Sequence, residues 1–240
     1  MGRAFQVRKA AMEKTAAAKT KVYSRFGREI YVAAKEGVPD PDMNVSLKRV
    51  IERAKKAQVP ADIIKRAIDK AKSGAADNYV SVTYEGFGPG ASTVIVECST
   101  DNTNRAFTEV RNAFSKSNSK IGVQGSVSHR YDHVALVGVK GLSEDQVLEA
   151  LLMGGVDVTN VQTEDDVVMI YGDPTLLKAI KDAIDASHTN VDYEVDEVTY
   201  LAQELITLEG EELALFNRLT DMLNASDDVQ NVYHNVNLEG

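Results

Sequence analysis

The residues best placed to do chemistry are lysines and arginines crowded toward one end of the chain. Residues 1–76 hold 18 Lys and Arg against 8 Asp and Glu, a net of +10. Residues 77–140 are balanced at six of each, and residues 141–240 hold 3 against 22, a net of −19. The net charge of −9 for all 240 residues hides this asymmetry. Clustered ammonium and guanidinium groups neutralise phosphates, giving salt-dependent affinity that carries little sequence information. A polyanion is therefore the expected partner of the basic head, and the acidic half would be turned away from it. The candidate phosphate-contacting residues are Arg3, Arg8, Lys9, Lys14, Lys19, Lys21, Arg25, Arg28, Lys48, Arg49, Arg53, Lys55, Lys56, Lys65 and Arg66. A bundle's solvated surface is the bland reading of the same residues, but it would carry matching Asp and Glu, which the second and third helices largely lack.

Other chemistries find weaker support. Asp101, Asn102, Asn104 and Arg105 lie beside a Gly-rich turn and would be the polar cluster of a catalytic cleft within Tyr79–Tyr131. Helix capping, by Asp101 or Thr103, with Arg105 on the surface, accounts for them more simply. Gly86-Phe87-Gly88-Pro89-Gly90 lacks the Gly-Lys-Ser/Thr ending of a phosphate loop and reads as a strand-turn-strand. His129 and His133 are four apart in a stretch read as extended, with no accompanying ligand pattern, so no metal is expected. The acidic runs Glu164-Asp165-Asp166 and Asp192–Glu197 lack calcium-loop spacing. No cofactor is expected.

The elements that must hold the cations are amphipathic helices. Tyr23, Phe26, Ile30 and Ala33/Ala34 form a stripe over residues 21–36. Leu47, Val50, Ile51 and Ala54 form one over 45–58, and Ile63, Ile64, Ala67, Ile68 and Ala71 form one after Pro60, read as a first helical residue. Three short helices with short links make a small bundle. From Tyr79 the pattern changes to strands. Val94-Ile95-Val96 reads as a strand buried on both faces, and Phe107, Val110, Ala113 and Phe114 as a helix stripe. Gly122 and Gly125 precede a third strand, and residues 126–131 and 134–139 read as a hairpin turning near Asp132-His133. Residues 134–202 then follow a β-α-β-β-α-β order, the ferredoxin-like split βαβ. The last helix and strand, 209–224 and 229–236, have no sheet of their own and are returned to the sheet that begins at Tyr79. The fold expected is α+β in three domains: a basic helical domain, 1–76; an α/β domain, 77–133 with 203–240; and a ferredoxin-like α/β domain, 134–202, inserted in the second.

Composition sets outer bounds. With 43% apolar residues, no Trp and six Phe, the cores are small and aliphatic. The single Cys98 cannot form an intrachain disulfide and fits a reducing compartment. No stretch approaches a membrane span, and no apolar run follows the first basic residues, so cytoplasm is expected.

Several segments carry a family resemblance: Tyr84-Glu85-Gly86-Phe87-Gly88-Pro89, Asp101-Asn102-Thr103-Asn104-Arg105, Val110-Arg111-Asn112-Ala113-Phe114-Ser115-Lys116, Gly125-Ser126-Val127 and Asp227-Asp228-Val229-Gln230-Asn231-Val232-Tyr233-His234-Asn235. In this order they resemble the YebC/PmpR family. Arg25-Phe26-Gly27-Arg28-Glu29-Ile30-Tyr31 and Ile51-Glu52-Arg53-Ala54-Lys55 resemble its YeeN-like branch. The commoner branch opens Gly-His-Ser-Lys-Trp, whereas Gly2 is followed here by Arg3-Ala4-Phe5. The resemblance implies the same three-domain arrangement and a non-enzymatic regulator of gene expression. Family members are described as DNA-binding transcriptional regulators, others as translation factors at the ribosome, acting on proline-rich stretches and in mitochondria. DNA is thus the first expected partner and rRNA in the ribosome the second. A third reading is an adaptor whose acidic half holds a protein.

Overall fold

The computed structural model describes residues 16–73 and 79–238, with side chains from residue 21 onward. They divide into two compact units, one of residues 16–127 with 206–236, the other centred on 128–205. Both sheets are four-stranded and antiparallel, and the fold is mixed α and β as expected.

The first unit begins with helices α1 (Ala16–Glu36), α2 (Val45–Lys56) and α3 (Ala61–Lys72). Their predicted stripes are their contacts: Phe26, Ile30, Leu47, Ile51, Ala54, Ile64 and Ala67 close one aliphatic core. Asn44 caps α2, accepting from the Leu47 amide at 3.0 Å, and its side-chain amide donates to the Ala33 and Val38 carbonyls at 2.9 Å. One side chain therefore ends α1 and starts α2. Pro60 stands one residue earlier than expected, at the cap, with Ala61 the first helical residue.

Strands β1 (Val80–Phe87) and β2 (Thr93–Thr100) form a hairpin, followed by α4 (Thr103–Lys116) and a two-residue β3 (Lys120–Ile121). The chain leaves this sheet and returns as α7 (Gly210–Ala225) and β8 (Val229–His234), giving the order β3-β1-β2-β8. Val94, Ile95 and Val96 are all fully buried, so the continuous apolar run does mark a strand covered on both faces. Val94, Val96 and Cys98 meet Val110 and Phe114 of α4 and Phe216, Leu219 and Leu223 of α7.

Three local readings need correction here. Asn102, rather than Asp101 or Thr103, caps α4, its Oδ1 accepting from the Arg105 amide at 3.0 Å. Phe107 is not in the core stripe; it is exposed and tilts over Tyr84 at 5.9 Å. The third strand precedes Gly122 instead of following Gly125. The reason is Glu85, whose buried carboxylate accepts from the amides of Gly125 at 2.8 Å and Val127 at 2.7 Å. Amides satisfied by a side chain need no strand partner.

The second unit holds β4 (Tyr131–Lys140), α5 (Glu144–Met153), β5 (Asn160–Glu164), β6 (Val167–Gly172), α6 (Leu177–Ser187) and β7 (Asp192–Ala202), in the sheet order β5-β6-β4-β7. This is the split βαβ topology read from the sequence. Ala135, Val137, Val168 and Ile170 face Val147, Leu151, Ile180 and Ile184 of the two helices. The hairpin expected near Asp132-His133 does not exist. Residues 128–130 make one 3-10 turn, and β4 pairs with β7 from Tyr131 opposite Ala202 to Lys140 opposite Asp192, with one register shift between Gly138 and Val139. The His133 ring stacks on its cross-strand partner Tyr200, centroids 4.2 Å apart. A polar pair with exposed side chains imitated a turn, although it contains no Gly, Asn or Pro. The register of strand β5 is fixed by Asn160 opposite Tyr171 and a tight turn at Asp165, φ +55°.

Candidate nucleic-acid interface

The buried stripes of α2 and α3 decide where their cations go. With Leu47, Val50, Ile51 and Ala54 inward, Lys48, Lys55 and Lys56 are exposed, and Arg49 and Arg53 sit half-buried at the flanks. With Ile64 and Ala67 inward, Lys65, Arg66, Lys70 and Lys72 are exposed on α3. Some are tethered. Arg53 pairs with Glu29 at 2.9 Å, and Arg66 with Asp62 at 2.6 Å one turn back. Lys35 and Lys70 lie 5.6 and 5.3 Å from the Tyr31 ring centre. Residues 21–73 carry 13 Lys and Arg against 7 Asp and Glu, so the bundle stays basic after its internal pairs are counted.

The cations of α1 have a different fate. The Arg28 guanidinium donates to the Ser99 carbonyl at 2.5 Å and the Asp227 carbonyl at 2.6 Å, lies 3.7 Å from the Asp228 carboxylate, and stacks 5.0 Å over Tyr79. Arg25 reaches Asn231 at 3.4 Å and Glu29 at 3.7 Å. Lys21 donates to Asn224 at 3.3 Å; burial, then the Arg25 charge, lowers its pKa to about 8. These three groups tie α1 to the α7–β8 segment. Their sequence spacing gave no warning, because their partners lie about 200 residues away. Of the remaining predicted contacts, Arg3, Arg8, Lys9 and Lys14 lie outside the described residues, and the side chain of Lys19 lies outside the described side chains.

The alternative catalytic cluster is structural in its geometry. Arg105 forks onto the buried carboxylate of Asp228 with two bonds of 2.8 Å and reaches Asp101 at 2.7 Å. Hydrogen bonding to Asp228 and Asp101 raises the Arg105 pKa, and the bond from Arg105 holds the Asp101 carboxyl below its usual range. Burial, with Asp228 nearby, pushes the Cys98 thiol up to about 12, so it is a protonated core residue. Among the described residues no three His, Cys, Asp or Glu are grouped to hold a metal ion, and no helix is long and apolar enough to cross a membrane.

The described residues thus hold a basic three-helix bundle, with exposed cations on α2 and α3, and two four-stranded antiparallel sheets. Residues 3–74 match the family model for the TACO1/YebC protein N-terminal domain, and residues 79–236 match that for the TACO1/YebC second and third domain. The chain belongs to the TACO1/YebC family. It is 50% identical to a probable transcriptional regulatory protein of Alteromonas mediterranea over 98% of each chain. It is 52% identical to another so named from Idiomarina loihiensis, over 98% of this chain and 99% of that one. The crystal structure of a conserved hypothetical protein from Aquifex aeolicus is similar at a TM-score of 0.73 and 32% identity, covering 93% of this chain and 92% of that one.

The family signatures are now physically legible. Glu85 pins the Gly125–Val127 loop; a Cβ on Gly86 would lie 2.4 Å from the Phe114 ring and one on Gly90, at φ +62°, 2.7 Å from Leu208. Asp228 receives Arg105 and Arg28, and the Asn235 side chain accepts from the Thr93 amide at 2.8 Å. These motifs build the sheet and its joints.

Proposed function

We propose that this chain is a non-enzymatic, cytoplasmic, nucleic-acid-binding regulator of gene expression, and that it acts as a DNA-binding transcriptional regulator. The carrying observation is that Lys48, Lys55 and Lys56 of α2 and Lys65, Arg66, Lys70 and Lys72 of α3 are all exposed, whereas Arg25 and Arg28 of α1 reach polar atoms of the same unit. The names of its relatives support the transcriptional part. In this reading the chain divides into a basic head, 1–76, an α/β body, 77–133 with 203–240, and an acidic insert, 134–202, that orients the molecule away from the polyanion.

A second reading, association with rRNA in the ribosome during translation, is favoured by one feature. The exposed cations of α2 and α3 are lysines except Arg66, which is bound to Asp62. Lysines are point charges suited to phosphate, whereas base edges are read by bidentate Arg, Asn or Gln. A face of this kind follows backbone shape, as in folded RNA.

The test uses the full chain and a variant with Lys48, Lys55, Lys56 and Lys65 changed to Glu. The wild type should retard duplex DNA in a gel, and the variant should bind at least about a hundredfold more weakly, with a shallower salt dependence and an unchanged melting temperature. Migration of the wild type, but not the variant, with ribosomal particles in a low-salt sucrose gradient would instead select the translation reading. Binding to neither would overturn both.

A further inference from the structure

The acidic unit carries an apolar face that the nucleic-acid reading leaves unused. Large exposed apolar residues are mostly scattered, but α5 presents three together: Leu148, Leu152 and Met153, 47%, 81% and 77% exposed. The helix already has its core face, since Val147, Ala150 and Leu151 are buried against the sheet. It is also firmly started: the Ser143 hydroxyl accepts from the Gln146 amide while the Gln146 side chain accepts from the Ser143 amide. Leu148 and Leu152 are one turn apart and share a side, and exposed Asp145 and Glu149, also one turn apart, run along it. Around this strip, residues 128–205 hold 16 Asp and Glu against 4 Lys and Arg.

We propose that the Leu148–Leu152 strip, bordered on its Met153 side by Asp145 and Glu149, docks a basic amphipathic helix of a protein partner. The apolar strip supplies the buried centre and the carboxylates supply orientation, the division of labour in helix-in-groove recognition. Methionine and leucine at the end of a helix adapt to a partner's side chains. Charge excludes the other occupants. Nucleic acid and anionic lipid would be repelled by this unit. A second copy docking α5 on α5 would set Asp145 and Glu149 against their own equivalents. A helix with Leu at every third or fourth position flanked by Lys or Arg satisfies both the strip and its rim. The proposal stands independently of whether the basic head binds DNA or RNA.

The experiment is fluorescence anisotropy at physiological salt with the full chain and a labelled Leu/Lys helical peptide of about 18 residues. One control peptide has every Lys replaced by Glu, and another has every Leu replaced by Ser. The chain should bind only the Leu/Lys peptide. Leu148→Ser with Leu152→Ser, and separately Asp145→Lys with Glu149→Lys, should each weaken binding at least about tenfold. Glu194→Lys with Glu204→Lys makes the same charge change at exposed sites off α5 and should have little effect. If the serine pair perturbs the thermal melt, Leu152→Glu alone replaces it and should still weaken binding. Equal weakening by both charge-reversal pairs with no response to the serine pair would reduce the effect to general acidity and overturn the proposal. Concentration-dependent self-association abolished by the serine pair would assign the face to a second copy and also overturn it.

Discussion

Helices α1 and α2 carry five Lys and Arg each, in 21 and 12 residues, yet they use most of them in opposite ways. On α2 the apolar stripe turns Lys48, Lys55 and Lys56 outward. On α1 the groups Lys21, Arg25 and Arg28 point at residues 224–231, and each binds a polar atom there. Charge count alone treats the two helices as one basic surface. What separates them is what lies opposite: solvent for α2, and a polar chain segment for α1. Within α1 there is a further gradation. Arg28 faces the buried Asp228 carboxylate and two carbonyls. Lys21 bonds to an amide oxygen, and burial lowers its pKa to about 8 despite the opposing Asp227 charge.

Asp228 is the point where the comparison breaks most visibly. Its side chain is 1% exposed and serves both Arg28 and Arg105. Removing one partner of a buried ion pair leaves the other charge uncompensated, so Asp228→Ala should destabilise by about 3 kcal/mol or more. The outward charge reversals on α2 and α3 should cost less than about 1 kcal/mol in the same denaturant titration. A loss under about 1 kcal/mol for Asp228→Ala would mean the inward cations are no better anchored than the outward ones.

The same contrast explains what the sequence made legible. Helix stripes such as Leu47-Val50-Ile51-Ala54 are local, so the bundle and the β-α-β-β-α-β order could be read directly, and the homeless last helix and strand pointed to their own return. Pairings across the chain could not be read. Nothing local to Arg28 announces Ser99, Asp227 or Asp228, and nothing at Gly122–Val127 announces the Glu85 carboxylate that replaces a strand there. The false hairpin at Asp132-His133 has the same origin, since the stacking partner Tyr200 lies on a distant strand. For the site, residue type and rough exposure on α2 and α3 were legible, and the diversion of the α1 cations into structure was not.

A further inward base, His234, sharpens the comparison by having no acidic partner among the described residues. Its Nδ1 accepts from the Val236 amide at 3.2 Å, its ring meets Phe216 edge-on at 5.0 Å, and burial lowers its pKa to about 4. In the unfolded chain it titrates near 6.5. Above that pH both states are neutral and the residue contributes no pH dependence. Between about 6.5 and 4 the unfolded state takes up the proton first, so stability falls with falling pH, by up to an order of 3 kcal/mol. Below about 4 the loss is complete. Subtracting the pH profile of His234→Leu from that of the wild type isolates this contribution from the carboxylates. A flat difference would show that the histidine remains solvated.

Lys21 gives the smallest effect and the most informative sign. Burial lowers its pKa from 10.5 to about 8, below its unfolded value, so at neutral pH the protonated group costs folding energy. The cost is full below about pH 8 and vanishes above about 10.5. Lys21→Met keeps an unbranched side chain one atom shorter while removing the charge, and loses one long hydrogen bond to Asn224. The two opposing changes leave an expected gain of about 1 kcal/mol at pH 7, shrinking toward pH 10. Urea titrations at the two pH values measure it. A loss at pH 7 would mean that Asp227, which opposes the downward shift, holds the ammonium firmly enough to make Lys21 an anchor like Arg28. All three inward groups of α1 would then be structural ties, and among the described residues the proposed polyanion contact would fall to exposed cations such as those of α2 and α3.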